Sequence, residues 1–267
     1  MVIDCHVHLN KDDVNADKLV AEADRLAIDR LVVFATGYHR GGPYNRDMLA
    51  AAERHPERII PFAHFRLGAD TADRVSEFAR QGFRGMKLIN PASDYNDRGY
   101  WPVYERAQEE GLVLLFHLGV VAVHTGNPLL DVDTGRMRPV HLDPILRRFP
   151  DLVIFGAHMG NPWYDEAGML CRWHKNLYFD LSGSSLKKKK PEFFRELLWW
   201  SGQDQYKDPL GRDPWEKILF GTDVAIKMMG DVKGDYERHF EALDLAPELR
   251  SAVMGNTAAG IFGFEEG

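Results

Sequence analysis

Cysteine is scarce in this sequence of 267 residues, where only Cys5 and Cys171 occur. Two cysteines argue against the disulfide framework of a small secreted protein. No apolar run approaches the roughly 18 residues that a membrane span requires. The N-terminal stretch MVIDCHVHL lacks the basic region of a secretory signal and is typical of a strand. We therefore expect a soluble protein of the cytoplasm that has no membrane partner.

Positive charge is also in deficit. The 33 Lys and Arg residues face 40 Asp and Glu residues, and the formal net charge of −7 argues against nucleic acid as the main partner. The hydrophobic share of 45% and the charged share of 27% are ordinary for a globular protein. A chain of this length can bury a substantial core. We expect a small-molecule substrate as the partner.

The chain does contain eight short apolar runs at fairly regular spacing. Their Val, Ile, Leu and Phe content is typical of buried parallel strands. The runs are Val2–Leu9, Arg30–Thr36, Ile59–Phe65, Phe83–Ile89, Leu112–Leu118, Leu152–His158, Leu177–Leu181 and Ile218–Val224. Between most of them lie stretches with helical spacing of apolar and charged residues, including Ala16–Leu26, Asp47–Arg54, Thr71–Arg80, Trp101–Glu110 and Leu142–Phe149.

This alternation of strands and helices predicts an α/β fold. Eight repeats in a chain of this length predict a single-domain (β/α)8 TIM barrel over residues 1–267. A doubly wound open sheet is the alternative, but it would more often carry a glycine-rich phosphate loop after the first strand. The sequence has no such loop there.

Four predicted strands end in histidine or aspartate. The residues are His6 and His8 in strand one, His117 in strand five, His158 in strand six and Asp223 in strand eight. Each has an ordinary explanation by itself, as a hydrogen-bonded core histidine or as an aspartate that caps the next helix. Catalytic groups of a barrel lie at the carboxyl ends of its strands, so these side chains should converge. Their joint occurrence predicts a metal site.

The spacing of the first histidine pair supports this prediction. Side chains alternate along a strand, so His6 and His8 should lie on one face, about 7 Å apart. Both can then bind one ion at about 2.0–2.1 Å. The same alternation would place Asp4 below them, as an acceptor that orients an imidazole. It would also turn the odd-numbered residues Ile3–Leu9 towards the surrounding helices.

These residues resemble the amidohydrolase superfamily and, within it, the amidohydrolase-2 branch. The resemblance runs from residue 1 to about residue 264, and its motifs are specific as an ordered set. The matching segments are Ile3–His8, Gly85–Leu88, Phe116–Gly119, Gly156–Gly160, Asn161–Trp163, Phe179–Ser182, Phe220–Asp223 and Gly255–Ala259. The resemblance implies a metal-dependent barrel enzyme, and a homodimer is an expectation at the level of the family.

Carried over by position, the resemblance implies that His6, His8, His117 and Asp223 are metal ligands. It implies that His158 activates water or polarises the substrate. A nitrogen-rich site with one carboxylate suits one Zn²⁺, although Mn²⁺, Fe²⁺ and Ni²⁺ also fit such donors. Asp223 can also accept a proton from water, and His158 has the pKa range for proton transfer near neutrality.

Lys87 is open to two interpretations. In some branches of the superfamily a lysine of strand four is carbamylated and bridges two metals. We expect one metal instead, with Lys87 either as a cation beside an anionic substrate group or as a residue of the rim without a role. Arg66 and His64, after strand three, are further candidate contacts for that group, although surface or capping roles explain them nearly as well.

The sequence also predicts a lid over the site and an aromatic wall beside it. The long segment Gly119–Pro139 is typical of a lid. Six aromatic residues that follow strand ends are candidates for an apolar wall: Tyr38, Tyr95, Tyr100, Trp101, Trp163 and Tyr164. The lysines of Lys187–Lys190 indicate a solvated loop or helix start, and Pro191–Trp200 has the pattern of a helix.

Three functions fit these features. The first is hydrolysis of a C–N or C–O bond in an amide, cyclic amide or lactone, with water activated by the metal. The second, known in the same branch, is non-oxidative decarboxylation of a small aromatic or unsaturated acid. The third is a barrel that binds a metal or ligand without catalysis. The intact set of ligands favours an enzyme, and hydrolysis is our leading expectation.

Overall fold

The structure is a computed structural model that describes residues 1–9, 16–35, 44–121, 131–200 and 208–264. Its eight parallel strands form one sheet in the order β1 to β8. The strands are β1 (Ile3–Leu9), β2 (Arg30–Ala35), β3 (Ile59–Phe65), β4 (Gly85–Leu88), β5 (Val113–Phe116), β6 (Ile154–Gly156), β7 (Leu177–Asp180) and β8 (Ile218–Leu219). The predicted single-domain (β/α)8 barrel is confirmed.

Helices follow the strands and cover the outside of the sheet. They are α1 (Asp17–Arg25), α2 (Asn45–Arg54), α3 (Ala72–Arg80), α4 (Trp101–Glu109), α5 (Leu142–Arg148), α6 (Tyr164–Trp173), α7 (Ser184–Lys188), α8 (Pro191–Leu197), α9 (Met229–Ala242), α10 (Pro247–Ser251) and α11 (Thr257–Phe262). No helix among these is long and apolar enough to cross a membrane. The predicted helix over Pro191–Trp200 is present as α8 but ends at Leu197. Lys187 and Lys188 are exposed as predicted, but they lie at the end of α7 and not at a helix start.

The barrel closes where β8 meets β1. The backbone N–H of Cys5 donates to the carbonyl of Phe220 at 2.8 Å, and the N–H of Asp223 donates to the carbonyl of His6 at 2.8 Å. The second bond places Asp223, the last of the predicted site residues in the chain, beside His6, the first. Closure of the barrel therefore assembles this part of the site.

Strand β1 carries an irregularity that the sequence pattern did not predict. Its pairing with β2 shifts register between Asp4 and Val7, with one more residue on β1 than on its partner. Such a bulge reverses the alternation of side chains. Ile3 and Cys5 accordingly pack in the cluster that fills the barrel, with alternate residues of the other strands, whereas Val7 packs in the cluster beneath the helices. The expectation that Ile3 and Cys5 face the helices was wrong.

The strands end earlier than predicted at three site positions. His117 follows the last residue of β5, His158 lies beyond β6, and Asp223 lies beyond β8. His158 has φ +61° and Asp223 has φ +47°. These left-handed conformations turn the chain away from the extended path, so the side chains stand on short turns at the rim. Tyr38 and residues 122–130 of the predicted lid lie outside the described residues.

Candidate metal centre

A cavity of about 590 Å³ opens at the carboxyl ends of the strands. Its polar lining is His8, His64, Lys87, His117, His158, Asn161, Ser184 and Asp223. Its apolar lining is Ala35, Ile89, Leu118, Val120, Val121, Val224 and Ala225. His6 lies just below, fully buried, and contacts several of the polar residues. The structure thus brings together seven of the eight predicted site residues.

Asp223 lies at the centre of the polar end of the cavity. Its Oδ1 is 2.9 Å from Nε2 of His8 and 3.6 Å from Nε2 of His6. Its Oδ2 is 3.7 Å from Nε2 of His158. One carboxylate therefore faces three imidazole nitrogens, two on one oxygen and the third on the other.

The imidazole of His6 is oriented by Asp180, which the sequence analysis did not single out. Nδ1 of His6 donates to Oδ2 of Asp180 at 2.8 Å, so its Nε2 lone pair faces the cavity. Asp4, which was expected to do this, accepts instead from the backbone N–H and hydroxyl of Thr222 and from the backbone N–H of His6. Because the bulge in β1 lies between Asp4 and the histidines, Asp4 does not share a face with them. The expectation that Asp4 orients an imidazole was therefore wrong.

Ser182 is the second residue that the sequence analysis left without a role. Its Oγ lies 2.9 Å from Nδ1 of His158 and donates to Oδ1 of Asp180. The sequence signal was present in the motif Phe179–Ser182. A carboxylate that ends a buried apolar strand is costly to bury unless nearby groups donate hydrogen bonds to it.

Two groups of side chains have ligand atoms that all lie within 4.8 Å of one another: His6, His8 and Asp223, and His6, His158 and Asp180. In the second group Asp180 already accepts hydrogen bonds from His6, Ser182 and the backbone of His158. Its oxygens are occupied by those donors. The first group faces the open cavity and is the better candidate for a metal.

His117, the fourth predicted ligand, lines the same cavity, but its ring nitrogens belong to neither of these two groups. Its ring centroid lies 5.0 Å from that of His158. Its Nε2 is buried and has no hydrogen-bond partner among the described residues. A buried nitrogen without a partner is costly, and a cation bound at the cavity floor would remove that cost. Together with His6, His8 and Asp223 it would supply three nitrogens and one carboxylate, a composition that suits a divalent transition metal.

The protonation states also suit metal binding. Burial lowers the pKa of His6 to about 4, with a further decrease from the Lys87 ammonium. Burial lowers the pKa of His117 well below its usual value, with help from His158 and Lys87. Burial alone would raise the pKa of Asp223, but His6 and His8 outweigh it and hold that pKa well below its usual value. Neutral imidazoles and an ionised carboxylate are the forms that bind metals.

Lys87 lies against the same group. Its Nζ is 3.1 Å from Nε2 of His6 and 4.8 Å above the ring of Phe34, and the side chain is 2% exposed. Burial lowers the pKa of Lys87 to about 8, although Asp223 and Asp180 oppose the change. The ammonium therefore lies at the cavity floor beside the candidate metal ligands.

Two further predictions about the cavity are corrected by the structure. Arg66 is not among the lining residues, whereas His64 is. None of the described aromatic candidates lines the cavity either. Tyr95 is fully buried, and its hydroxyl donates to the carbonyl of His117 at 2.9 Å and lies 3.2 Å from the carbonyl oxygen of Leu88, so it supports two strand ends from behind. Aliphatic side chains form the apolar wall instead.

Comparison with known proteins shows the family to which the chain belongs. The amidohydrolase model named Amidohydro_2 matches residues 3–264. The chain belongs to the amidohydrolase-2 family. Enzymes of this family are generally metal-dependent, and the chain has His and Asp groups that could bind a metal. No curated protein matches the sequence significantly.

Solved structures share the fold over nearly the whole chain. An uncharacterised TIM-barrel protein from Bordetella bronchiseptica has a TM-score of 0.69 at 19% identity, with 98% of each chain covered. The 5-carboxyvanillate decarboxylase from Sphingomonas paucimobilis has a TM-score of 0.68 at 15% identity, with 99% of each chain covered. A probable 2-pyrone-4,6-dicarboxylic acid hydrolase from Acinetobacter baumannii has a TM-score of 0.66 at 15% identity, covering 98% of this chain and 99% of that one. Proteins that share this fold therefore include a decarboxylase and a probable hydrolase.

Proposed function

We propose that this chain is a metal-dependent hydrolase that cleaves a C–N or C–O bond in a small, carboxylate-bearing amide, cyclic amide or lactone. The observation that carries the proposal is the position of Asp223 between His6 and His8 on one side and His158 on the other. A carboxylate in this place can share a cation with two imidazoles and also face a group that transfers protons.

His6, His8, His117 and Asp223 would hold the ion, for which Zn²⁺ suits the donor set best. When bound, a divalent cation polarises a carbonyl oxygen and lowers the pKa of water to about 7. Lys87 is not needed as a ligand in this proposal, which therefore has one ion.

His158 is the proposed proton carrier. Its Nε2 faces Asp223 across the cavity, and its Nδ1 is engaged by Ser182. A neutral imidazole with Nε2 free of a proton can accept one as water adds to the carbonyl carbon. When the C–N or C–O bond breaks, the same nitrogen returns that proton to the leaving nitrogen or oxygen.

The other residues that line the cavity indicate which class of substrate it would bind. The Lys87 ammonium lies at the cavity floor and would pair with a carboxylate of the substrate. Ile89, Leu118, Val121 and Val224 form an apolar wall that would cover a hydrocarbon part and exclude water. A small molecule with one anionic group and an apolar body matches both features.

The same wall supports a second candidate, decarboxylation of a small aromatic or unsaturated acid. An aromatic ring would fit against the aliphatic side chains while its carboxylate lies at the polar floor. In that reaction the C–C bond to the carboxylate breaks, CO2 leaves, and the ring carbon receives a proton, for which His158 is the available carrier.

A substrate panel tests the proposal. The purified chain, loaded with Zn²⁺ or Mn²⁺, is incubated with carboxylate-bearing lactones, cyclic amides and linear amides, and with aromatic acids. Products are identified by mass spectrometry, and CO2 release is measured in parallel. The His6→Ala/His8→Ala double variant is the matched control, because it removes two proposed ligands and leaves the apolar wall unchanged.

Hydrolysis predicts a product equal in mass to the substrate plus water, or its two cleaved parts, and no CO2. Release of CO2 from aromatic acids, with no hydrolytic product from any lactone or amide, would show that the second candidate is correct. Equal turnover by the double variant would contradict a metal-dependent reaction at this site.

A further inference from the structure

Asp180 joins two of the site histidines through one buried carboxylate. Its side chain is 3% exposed. Oδ2 accepts from Nδ1 of His6 at 2.8 Å. Oδ1 accepts from the backbone N–H of His158 at 3.0 Å, from the backbone N–H of Ser182 at 2.9 Å and from the Ser182 hydroxyl. A backbone N–H can only donate, so Oδ1 of Asp180, which faces two of them, carries no proton. Oδ1 of Asp180 therefore only accepts hydrogen bonds.

This fixes the direction of the hydroxyl proton of Ser182. A serine hydroxyl has one proton to donate and two lone pairs that accept. If the proton pointed to Nδ1 of His158, lone pairs of Ser182 and of the Asp180 carboxylate would face each other across their short contact. The proton therefore goes to Asp180, and the Ser182 oxygen must accept from Nδ1–H of His158 at 2.9 Å.

We propose that Ser182 is a positioning residue that fixes His158 as the Nδ1–H tautomer, so that its Nε2 lone pair faces the cavity. The inference deepens the proposed function and rests on it for its catalytic meaning. Ser182 is fully buried and does not line the cavity. Although Asp180, Ser182 and His158 are the residue types of a nucleophilic triad, the serine lies between the other two and cannot reach a substrate.

The residues that follow Ser182 also pack closely against the imidazole of His158. Gly183 has φ +78°, and a Cβ at this position would lie 3.3 Å from Nδ1 of His158. Ser185, also fully buried, donates from Oγ to the backbone carbonyl of His158 at 3.1 Å and makes no hydrogen bond to the ring. Ser182 and Ser185 thus contact the same residue at two different places, which gives the experiment a matched control.

The tautomer of His158 is measured directly by ¹⁵N NMR of the full chain labelled at histidine. Spectra are recorded at a pH well above the ordinary histidine pKa, for protein stripped of metal and for protein loaded with Zn²⁺. The His158 signals are identified by their loss in His158→Asn. The variants are Ser182→Ala, Ser182→Thr and Ser185→Ala.

We expect the Nδ1–H form in the wild type, in Ser182→Thr and in Ser185→Ala. Ser182→Ala removes the acceptor at Nδ1, so the proton should move to Nε2, where the Asp223 carboxylate lies 3.7 Å away. An Nε2–H signal in the wild type, or an unchanged Nδ1–H signal in Ser182→Ala, would overturn the proposal. The wild-type spectrum decides the question even if a variant fails to fold.

Turnover gives a separate readout. With a substrate identified by the panel, Ser182→Ala should lower kcat by about 10-fold to 100-fold with little change in KM, as expected for loss of a group that orients a site histidine. Ser182→Thr should restore most of that loss, and Ser185→Ala should not reproduce it. If no substrate is found, the proposed function fails while the tautomer measurement still confirms or overturns the role of Ser182.

Discussion

Nε2 of His8 lies 2.9 Å from Oδ1 of Asp223, although the two residues come from opposite ends of the chain. They meet because β1 and β8 are neighbours in the closed barrel, where the backbone of Asp223 bonds to the carbonyl of His6. The candidate metal centre therefore depends on closure, and no local segment of the chain contains it.

Replacing His158 by asparagine should separate proton transfer from metal binding. We expect His158→Asn to keep its metal, because the proposed ligands are His6, His8, His117 and Asp223. Turnover should fall by about 10²–10⁴-fold, the usual size of a general acid–base contribution. Elemental analysis and kinetics on the same preparation measure both quantities.

His239→Asn is the matched control, since His239 is also largely buried but bonds to the carbonyl of Leu186, away from the cavity. Loss of metal from His158→Asn, with metal retained in the control, would show that His158 is itself a ligand.

Replacing Lys87 by methionine tests whether this residue binds the substrate or a second metal. We expect Lys87→Met to leave the metal content unchanged and to raise KM by about 10-fold to 100-fold. That change corresponds to the roughly 1.5–3 kcal/mol of a hydrogen bond to a charged group. A wild-type chain that binds two metal ions and a variant that loses one would instead indicate a carbamylated, bridging lysine.

Much of this arrangement could be predicted from sequence. The eight strands have a clear apolar pattern, and strand ends in a barrel share one rim, so His117, His158 and Asp223 could be placed together without coordinates. The prediction that His6 and His8 share one face is also correct. The register shift in β1 lies before Val7, so it does not change the relative orientation of the two histidines.

Other features depend on tertiary structure that the sequence pattern does not encode. A bulge adds a residue without changing composition, so the faces of Asp4 and Cys5 could not be read from alternation. The direction of a side chain beyond a strand end depends on the turn that follows, which is why Arg66 lies off the cavity. The motif Phe179–Ser182 marks Asp180 as a carboxylate at the end of a buried strand, but its pairing with His6 of β1 has no local signature.

Gly119 should be the glycine at the site that tolerates substitution least. Its φ is +92°, and an added Cβ would lie 1.8 Å from the carbonyl oxygen of Asn161. Gly82 has φ +94° but nothing within 4 Å of the same Cβ position. Gly82→Ala therefore measures the backbone strain alone, about 1–3 kcal/mol. Gly119→Ala should lower the free energy of unfolding further in urea, and equal losses in the two variants would contradict this contact.

A buried ion pair beneath α6 should make stability depend on pH. Lys217 and Asp208 are fully buried and 3.1 Å apart, and Lys217 also donates to the carbonyl of His174. Burial raises the pKa of Asp208, but the hydrogen bond from Arg212 and the charge of Lys217 outweigh it and lower that pKa below its usual value. In the unfolded chain the carboxyl takes up its proton near pH 3.9. The unfolded state thus binds more protons in this range, so stability is lost as pH falls through about 4.

Asp208→Asn should remove this dependence. We expect its free energy of unfolding at neutral pH to fall on the order of 3 kcal/mol, because Lys217 loses its carboxylate partner. Below about pH 5 its stability should decrease less steeply than that of the wild type. Asp151→Asn, which disrupts an exposed pair with Lys175, is the control and should change stability by less than about 1 kcal/mol. Parallel slopes for wild type and Asp208→Asn in urea titrations across acid pH would contradict the assignment.

The most direct test of the account is an anomalous difference map from crystals of the chain grown with Zn²⁺ and measured at the zinc absorption edge. The proposed metal centre predicts one peak at the cavity floor, bound by His6, His8, His117 and Asp223, with Asp180 hydrogen-bonded to His6 on the opposite edge of its ring. Absence of a peak among these four side chains, or two peaks bridged by Lys87, would contradict it.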